Sequence, residues 1–429
     1  MQRRMTMNKE IITSSITGDS YTRIKHKSGL EILVWEMPGF SSAEALFGTR
    51  YGSINTRFRT LGESNYTTVP EGIAHFLEHK LFENEECDAF AQYARTGASA
   101  NAYTSFDKTC YLFSCTQNFN ESLKILLSFV QEPYFTEETV QKEQGIIAQE
   151  IRMTNDNPGN RCFYNMLKCM YHEHPVKIDI AGTVESIKKI NADLLYKCYN
   201  TFYNLNNMVL VAAGNVKTDE ILAIADEKLR MCEDIKLETV FPDEPETIVK
   251  KEMTEKMSVG IPIFNIGFKS APGSGYDIIK AELEMFTALS VISNPASEFY
   301  RKMMEDGLIN SSFSNEVFSG DGYFAAISGG ESRDPHEVYD RLMNEIERVK
   351  KEGIDPALFE SIKKYTYGSA IRELESPEQA ASLLINSYFS EVTAFDGIKV
   401  ISEMTCDDVM TALKTRLNPD TAVLSIIEP

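Results

Sequence analysis

The 429-residue sequence has no run of the roughly 18–20 apolar residues that a membrane-spanning helix needs, so no transmembrane segment is expected. Its first twenty residues hold Arg3 and Arg4 but no apolar core. A secretory signal is therefore not expected, and two arginines do not make a transit peptide. Basic residues are in deficit: 43 Lys and Arg stand against 63 Asp and Glu, a net charge of −20. A surface that acidic repels nucleic acid and anionic membranes, and neither is expected as a partner. The eight cysteines form no Cys-x-x-Cys pair and no regular framework, and read as reduced thiols in a cytoplasmic protein. They also offer no zinc site. A metal site would have to use histidine and carboxylates, and only six histidines occur.

What is present suits a folded chain. With 43% apolar and 25% charged residues, disordered and low-complexity classes are excluded. Strand-like runs at Leu30–Trp35 and Ala43–Tyr51 precede an apolar helical run that starts near Pro70. Asp88–Arg95 reads as a second helix, and Gly97–Thr104 with Thr109–Cys115 as a hairpin. Leu123–Val130 is helical. A longer helix runs from Thr136, its N-cap, to Met153 and stops at Asn155-Asp-Asn-Pro158. A helical pattern over Ile187–Phe202 leads to the strand Met208–Ala213.

Beyond a charged stretch the pattern returns. Met257–Lys269 resembles Ala43–Tyr51, and Ile278–Ile292 stands where the histidine-bearing helix stood. Gly307–Phe313 matches Gly97–Tyr103, and Ile398–Leu424 parallels Ile187–Val211. The expectation is an α+β fold of two tandem homologous domains, each a mainly antiparallel sheet with helices packed on one face. The boundaries read as an N-terminal extension 1–27, a first domain 28–232, a charged linker 233–256 and a second domain 257–429. The long helix of the second copy has no histidine, so the chemistry belongs to the first.

That chemistry starts at His75-Phe-Leu-Glu-His79. Two imidazoles four residues apart lie one turn apart on one helix face, where a single tetrahedral Zn²⁺ takes both. Glu78 is poorly placed to ligate but can reach a water beside the metal, so the pattern divides into two ligands and a general base. It is the inverse of His-Glu-x-x-His and has the form of the inverzincin signature. The bland alternative is two core histidines and a surface glutamate. A catalytic zinc needs a third protein ligand. The Thr136–Met153 helix offers Glu143 and Glu150, seven apart and so on one face, with Val140, Ile147 and Ile151 turning that face inward. The residues alone leave both glutamates open, and a solvated face remains the alternative.

Three motifs together resemble the insulinase-type zinc metallopeptidases, the family of pitrilysin and the mitochondrial processing peptidase. They are His75-Phe-Leu-Glu-His79 followed by Lys80-Leu-Phe82, Gly97-Ala-Ser-Ala-Asn-Ala-Tyr-Thr104, and Glu143-Gln-Gly-Ile-Ile-Ala-Gln-Glu150. The likeness spans nearly the whole chain, including its duplicated plan. It implies a zinc-dependent endopeptidase acting on unfolded peptides or small proteins, with about one Zn²⁺ per chain. It further implies Glu150 as third ligand, Glu143 as a support behind the ligands, Glu78 as general base, and Asn101, Ala102 and Tyr103 as the segment that holds substrate backbone. The second half departs from the family: Asn310 occupies the Tyr position of a Gly-Leu-x-Tyr segment, and Met303 the position of an accompanying Arg. In two-subunit members a partner lacking the zinc motif carries that pair. The resemblance thus implies a homo- or heterodimer with a related motif-less subunit. The alternative is a non-catalytic or accessory subunit of a processing-peptidase-like complex.

Overall fold

The computed structural model describes residues 8–85 and 88–429. The chain divides into two units that are not contiguous in sequence. The first takes the chain up to Ile151 together with Asp179–Val240 and Ile371–Phe395; the second takes Arg152–Ile178, Phe241–Ala370 and Asp396–Pro429.

The first unit holds a seven-stranded sheet. Its spatial order is Asn8–Thr13, Ser20–Lys25, Glu31–Glu36, Met208–Gly214, Ala43–Thr49, Thr109–Cys115 and Ser99–Thr104. All neighbours are antiparallel except Glu31–Glu36 with Met208–Gly214. The second unit holds a five-stranded sheet in the order Glu252–Lys256, Ala422–Glu428, Ile263–Lys269, Tyr323–Glu331 and Ser314–Gly320. Its five strands correspond in order to the last five of the first sheet, and its single parallel pair, Glu252–Lys256 with Ala422–Glu428, corresponds to Glu31–Glu36 with Met208–Gly214. The same order with the same parallel pair is the duplication expressed in topology.

One face of each sheet is covered by helices from its own half of the sequence. In the first unit Ile32, Val34, Ala45, Phe47, Phe113 and Leu210 meet Phe76, Leu77, Leu123 and Leu195 there. The other face is not open. Helix Pro377–Phe389 lies across Met208–Gly214 and Ala43–Thr49 in the first unit, and helix Pro158–Met170 across Ala422–Glu428 and Ile263–Lys269 in the second. Every residue of Ala43–Thr49 and Met208–Gly214 is therefore buried; Met208–Gly214 reads as a continuous apolar run, whereas Ala43–Thr49 carries Glu44 and Thr49 into the buried layer. A glycine admits each crossing helix. Gly48 pairs with Val209 and Gly267 with Val423, each the second residue of its strand. A Cβ on Gly48 would stand 2.9 Å from Ile385 Cδ1, and one on Gly267 would stand 2.1 Å from Met170 Cε.

The structure redraws several local expectations. From residue 8 onward the stretch read as an extension supplies two sheet strands, anchored by buried Tyr21 and Ile24. The charged stretch 233–256 contributes Leu237–Thr239 to a small sheet with Arg57–Thr60, and Glu252–Lys256 to an edge of the five-stranded sheet. Charged side chains are what an edge strand carries, because they deter pairing with another chain. The helical run Ile187–Phe202 breaks into Val184–Ile187 and Ala192–Phe202 because Asn191 caps the second piece through Leu194 N. Gly307–Phe313 is a turn segment, and the strand follows at Ser314. Among the described residues no helix is long and apolar enough to cross a membrane.

The seven described cysteines are free, and five of them are buried; Cys87 lies outside the described residues. Burial pushes the thiols of Cys110, Cys162 and Cys198 up to about 12, far from the reactive thiolate. An alkylating reagent at neutral pH should therefore modify the buried five slowly in the native protein. It should reach all eight cysteines once the chain is denatured without reductant. Intact mass reads both states, and a disulfide surviving denaturation would contradict the expectation.

Candidate metal centre

Pro70 fixes the chain ahead of the histidine helix, but the helix itself runs Ile73–Leu81. The delay comes from Gly72, whose φ of 87° lies in the left-handed region and whose missing Cβ would stand 2.3 Å from the Ala181 carbonyl oxygen. Apolar Ile73, Phe76, Leu77 and Leu81 face the core, which turns His75, Glu78 and His79 toward the half-buried side. Lys80 is fully buried, with its ammonium on Glu83. The opposing helix, Glu137–Asn155, buries Val140, Ile147 and Ile151, and the same rotation brings Glu143 and Glu150 to the histidines.

His75 Nε2 lies 3.5 Å from Glu150 Oε1, and His79 Nε2 lies 3.5 Å from Glu150 Oε2. One ligand atom from each of His75, His79 and Glu150 falls within a 4.8 Å cluster, and among the described residues no other such grouping occurs. Ligands at about 2.0–2.1 Å around a tetrahedral zinc stand about 3.4 Å apart, so this donor set fits that ion. The remaining nitrogen of His79, Nδ1, lies 2.9 Å from Glu143 Oε1. A proton held there on Nδ1 leaves the Nε2 lone pair free for a metal. His75 Nδ1 is buried and has no partner among the described residues.

Charge follows the same geometry. Burial opposes a charge on His79, but the hydrogen bond with Glu143 and the nearby Glu78, Glu143 and Glu150 carboxylates outweigh it and raise its pKa. The hydrogen bond with His75 holds the Glu150 carboxyl below its usual range, against the opposing effect of burial.

Glu78 stays outside the cluster. Its Oε2 accepts a 2.6 Å hydrogen bond from Thr104 Oγ1, at the end of strand Ser99–Thr104. That strand is an edge of the seven-stranded sheet, so one side of its backbone is unpaired. Ala100 and Ala102 pack toward the helices, Asn101 is exposed, and Tyr103 is half-buried. The Ala102 N–H donates to Asn101 Oδ1 at 2.9 Å and is not spent on the neighbouring strand. In the second unit, Asn310 is committed locally: its Nδ2 donates to Glu331 and its Oδ1 accepts from Ser312 N. Met303 is buried. Neither Thr104 nor Thr109, which faces it at 3.3 Å, has a sequence pattern that assigns it to the site. The signal available for them was a hydroxyl residue at each facing end of the hairpin.

The family model described as insulinase, peptidase family M16, matches residues 62–184, and the one described as peptidase M16 inactive domain matches residues 189–365. A Bacillus subtilis protein described as the uncharacterized zinc protease YmfH is 38% identical over 410 residues, covering 94% of this chain and 96% of its own. The crystal structure of an M16-like peptidase from Alicyclobacillus acidocaldarius superimposes with a TM-score of 0.91 at 34% identity and covers all of both chains. Pitrilysin shares the fold, with a TM-score of 0.76 at 14% identity; the match takes in 99% of this chain and 47% of that one.

Proposed function

From membership of the insulinase peptidase family M16, to which this chain belongs, we propose that it is a zinc-dependent endopeptidase for unfolded peptides or small proteins. In this reading His75, His79 and Glu150 hold the metal, Glu143 fixes His79, and Glu78 is the general base. The observation that carries it is the division within one site. Two imidazole Nε2 atoms and one carboxylate converge within 4.8 Å, while the neighbouring Glu78 carboxylate is held apart on Thr104.

Zinc, when bound, acidifies water and polarises a carbonyl. The rest falls to the chain's own residues. Glu78 takes a proton from the attacking water at its carboxylate and delivers it to the nitrogen of the leaving amine. An extended peptide joins the free edge through Asn101, Ala102 and Tyr103, and takes the Ala102 N–H that Asn101 now occupies. Regular backbone pairing selects extended, unfolded substrate over folded protein.

The match to pitrilysin takes in 47% of that chain, and where the family's Gly-Leu-x-Tyr segment has a phenol this chain has the shorter Asn310, whose Nδ2 donates to Glu331. We therefore propose a dimer, with a related subunit that lacks His-x-x-Glu-His and carries the missing Tyr. The zinc-loaded chain should cleave unstructured peptides in a chelator-sensitive manner, slowly alone and faster with that subunit. Turnover unaffected by chelation would reject the metallopeptidase reading. Full activity in a preparation shown to be monomeric by sedimentation would reject the dimer. Zinc binding without turnover in any combination would favour the accessory-subunit alternative.

A further inference from the structure

A general base on a helix surface works only if its carboxylate is held toward the reacting atoms, and Glu78 is half-buried with a flexible side chain. What holds it comes from the hairpin. Thr104 Oγ1 donates to Glu78 Oε2 at 2.6 Å, and Glu78 Oε1 has no partner among the described residues. Behind Thr104, Thr109 Oγ1 lies 3.3 Å away and donates its own hydrogen to the Tyr51 carbonyl at 2.8 Å. With that hydrogen committed, Thr109 presents only lone pairs to Thr104. The Thr104 hydroxyl hydrogen then has two acceptors, and the short bond to a carboxylate is the stronger one.

The platform beneath this pair is rigid. Thr109 is fully buried. The turn between the two threonines is closed by Ser105 N to Lys108 O at 2.8 Å and Ser105 Oγ to Asp107 Oδ1 at 2.6 Å. It is tied to the preceding loop by Ser53 N to Ser105 O and Ile54 N to Phe106 O, both 3.0 Å. Gly52 permits that approach, since a Cβ there would stand 2.3 Å from Phe106 O.

We propose that Thr104, on a hairpin whose facing Thr109 is fixed to the Tyr51 carbonyl, is a positioning residue for Glu78. It occupies one carboxylate oxygen, fixes the side-chain rotamer, and leaves the other oxygen free for water. The inference rests on the peptidase reading above and adds to it the residue that sets the geometry of the base. The hydroxyl is the active part, so Ser can replace Thr and Val cannot.

The test compares wild type, Thr104→Val, Thr104→Ser and Glu78→Gln as full-length zinc-loaded protein. The measurements are zinc per chain, thermal midpoint, and kcat and KM on an unstructured peptide. Thr104→Val should lower kcat about 10–100-fold, the scale of a misplaced catalytic group. Its KM should stay within about twofold and its zinc content should match wild type. Thr104→Ser should recover most of the lost kcat. Wild-type kcat in Thr104→Val, zinc loss in step with activity, or a Ser variant as impaired as Val would each overturn the proposal while leaving the peptidase reading intact. A zinc-loaded wild type that turns over no faster than Glu78→Gln would overturn the peptidase reading, and this inference with it.

Discussion

Glu78→Gln should retain about one zinc ion per chain and lose hydrolysis by on the order of 10²–10⁴-fold or more. The amide keeps the size and the Thr104 contact of the carboxylate but cannot take a proton from water. Metal retention is expected because Glu78 stands outside the 4.8 Å cluster of His75, His79 and Glu150. Metal analysis and peptide turnover on the same preparation give the answer. A mutant that stays fully active removes Glu78 from the base role. A mutant that loses its metal makes Glu78 a ligand.

The second large effect is expected at the opposing helix. Glu150→Gln should strip zinc from the protein, because its carboxylate stands 3.5 Å from both imidazole Nε2 atoms and supplies the anionic ligand of the set. Glu143→Gln should keep the metal with affinity weakened by roughly 10–100-fold. Its carboxylate touches His79 on the far nitrogen, Nδ1, at 2.9 Å, so its loss loosens the ring and its tautomer without removing a donor. Metal titration of both variants separates the roles. The reverse order of effects would mean that Glu143 is the ligand and Glu150 the support.

These effects differ in kind, and the difference follows from which atom each carboxylate reaches. In the proposed site Glu150 would compete directly with water for a metal, Glu143 would act through an imidazole, and Glu78 would act on a proton without touching the metal. Three acidic side chains, two of them on one helix, thus meet three distinct partners: the imidazole Nε2 atoms, His79 Nδ1 and Thr104 Oγ1. No composition or net charge distinguishes them.

The histidine pair was legible because both residues lie within one helical turn, where a spacing of four fixes their relative direction whatever the rest of the chain does. The duplication was legible for a related reason. Each half repeats the same succession of periodic segments, and the two sheets then repeat the same strand order with the same parallel pair. The exchanged helices were not legible. Pro158–Met170 and Pro377–Phe389 have ordinary helical patterns, and nothing local says which sheet each will cover. The two glycines that admit them, Gly48 and Gly267, read in sequence only as breaks in a strand.

By itself the sequence determined most of the helices and strands around the site, the repeat, the His75–Glu78–His79 register and the shortlist of Glu143 and Glu150, since each rests on a pattern along the chain. Spacing along the chain left open, and tertiary structure decided, which glutamate stands at the Nε2 atoms and which at Nδ1, that Ser99–Thr104 lies at a free sheet edge, and that Thr104 reaches Glu78. Those depend on how far one helix is rotated and shifted against another, and on which strand ends a sheet. Such quantities are set by packing between segments far apart in the chain, where seven residues of separation put two carboxylates on the same face but cannot say which of them arrives at the metal.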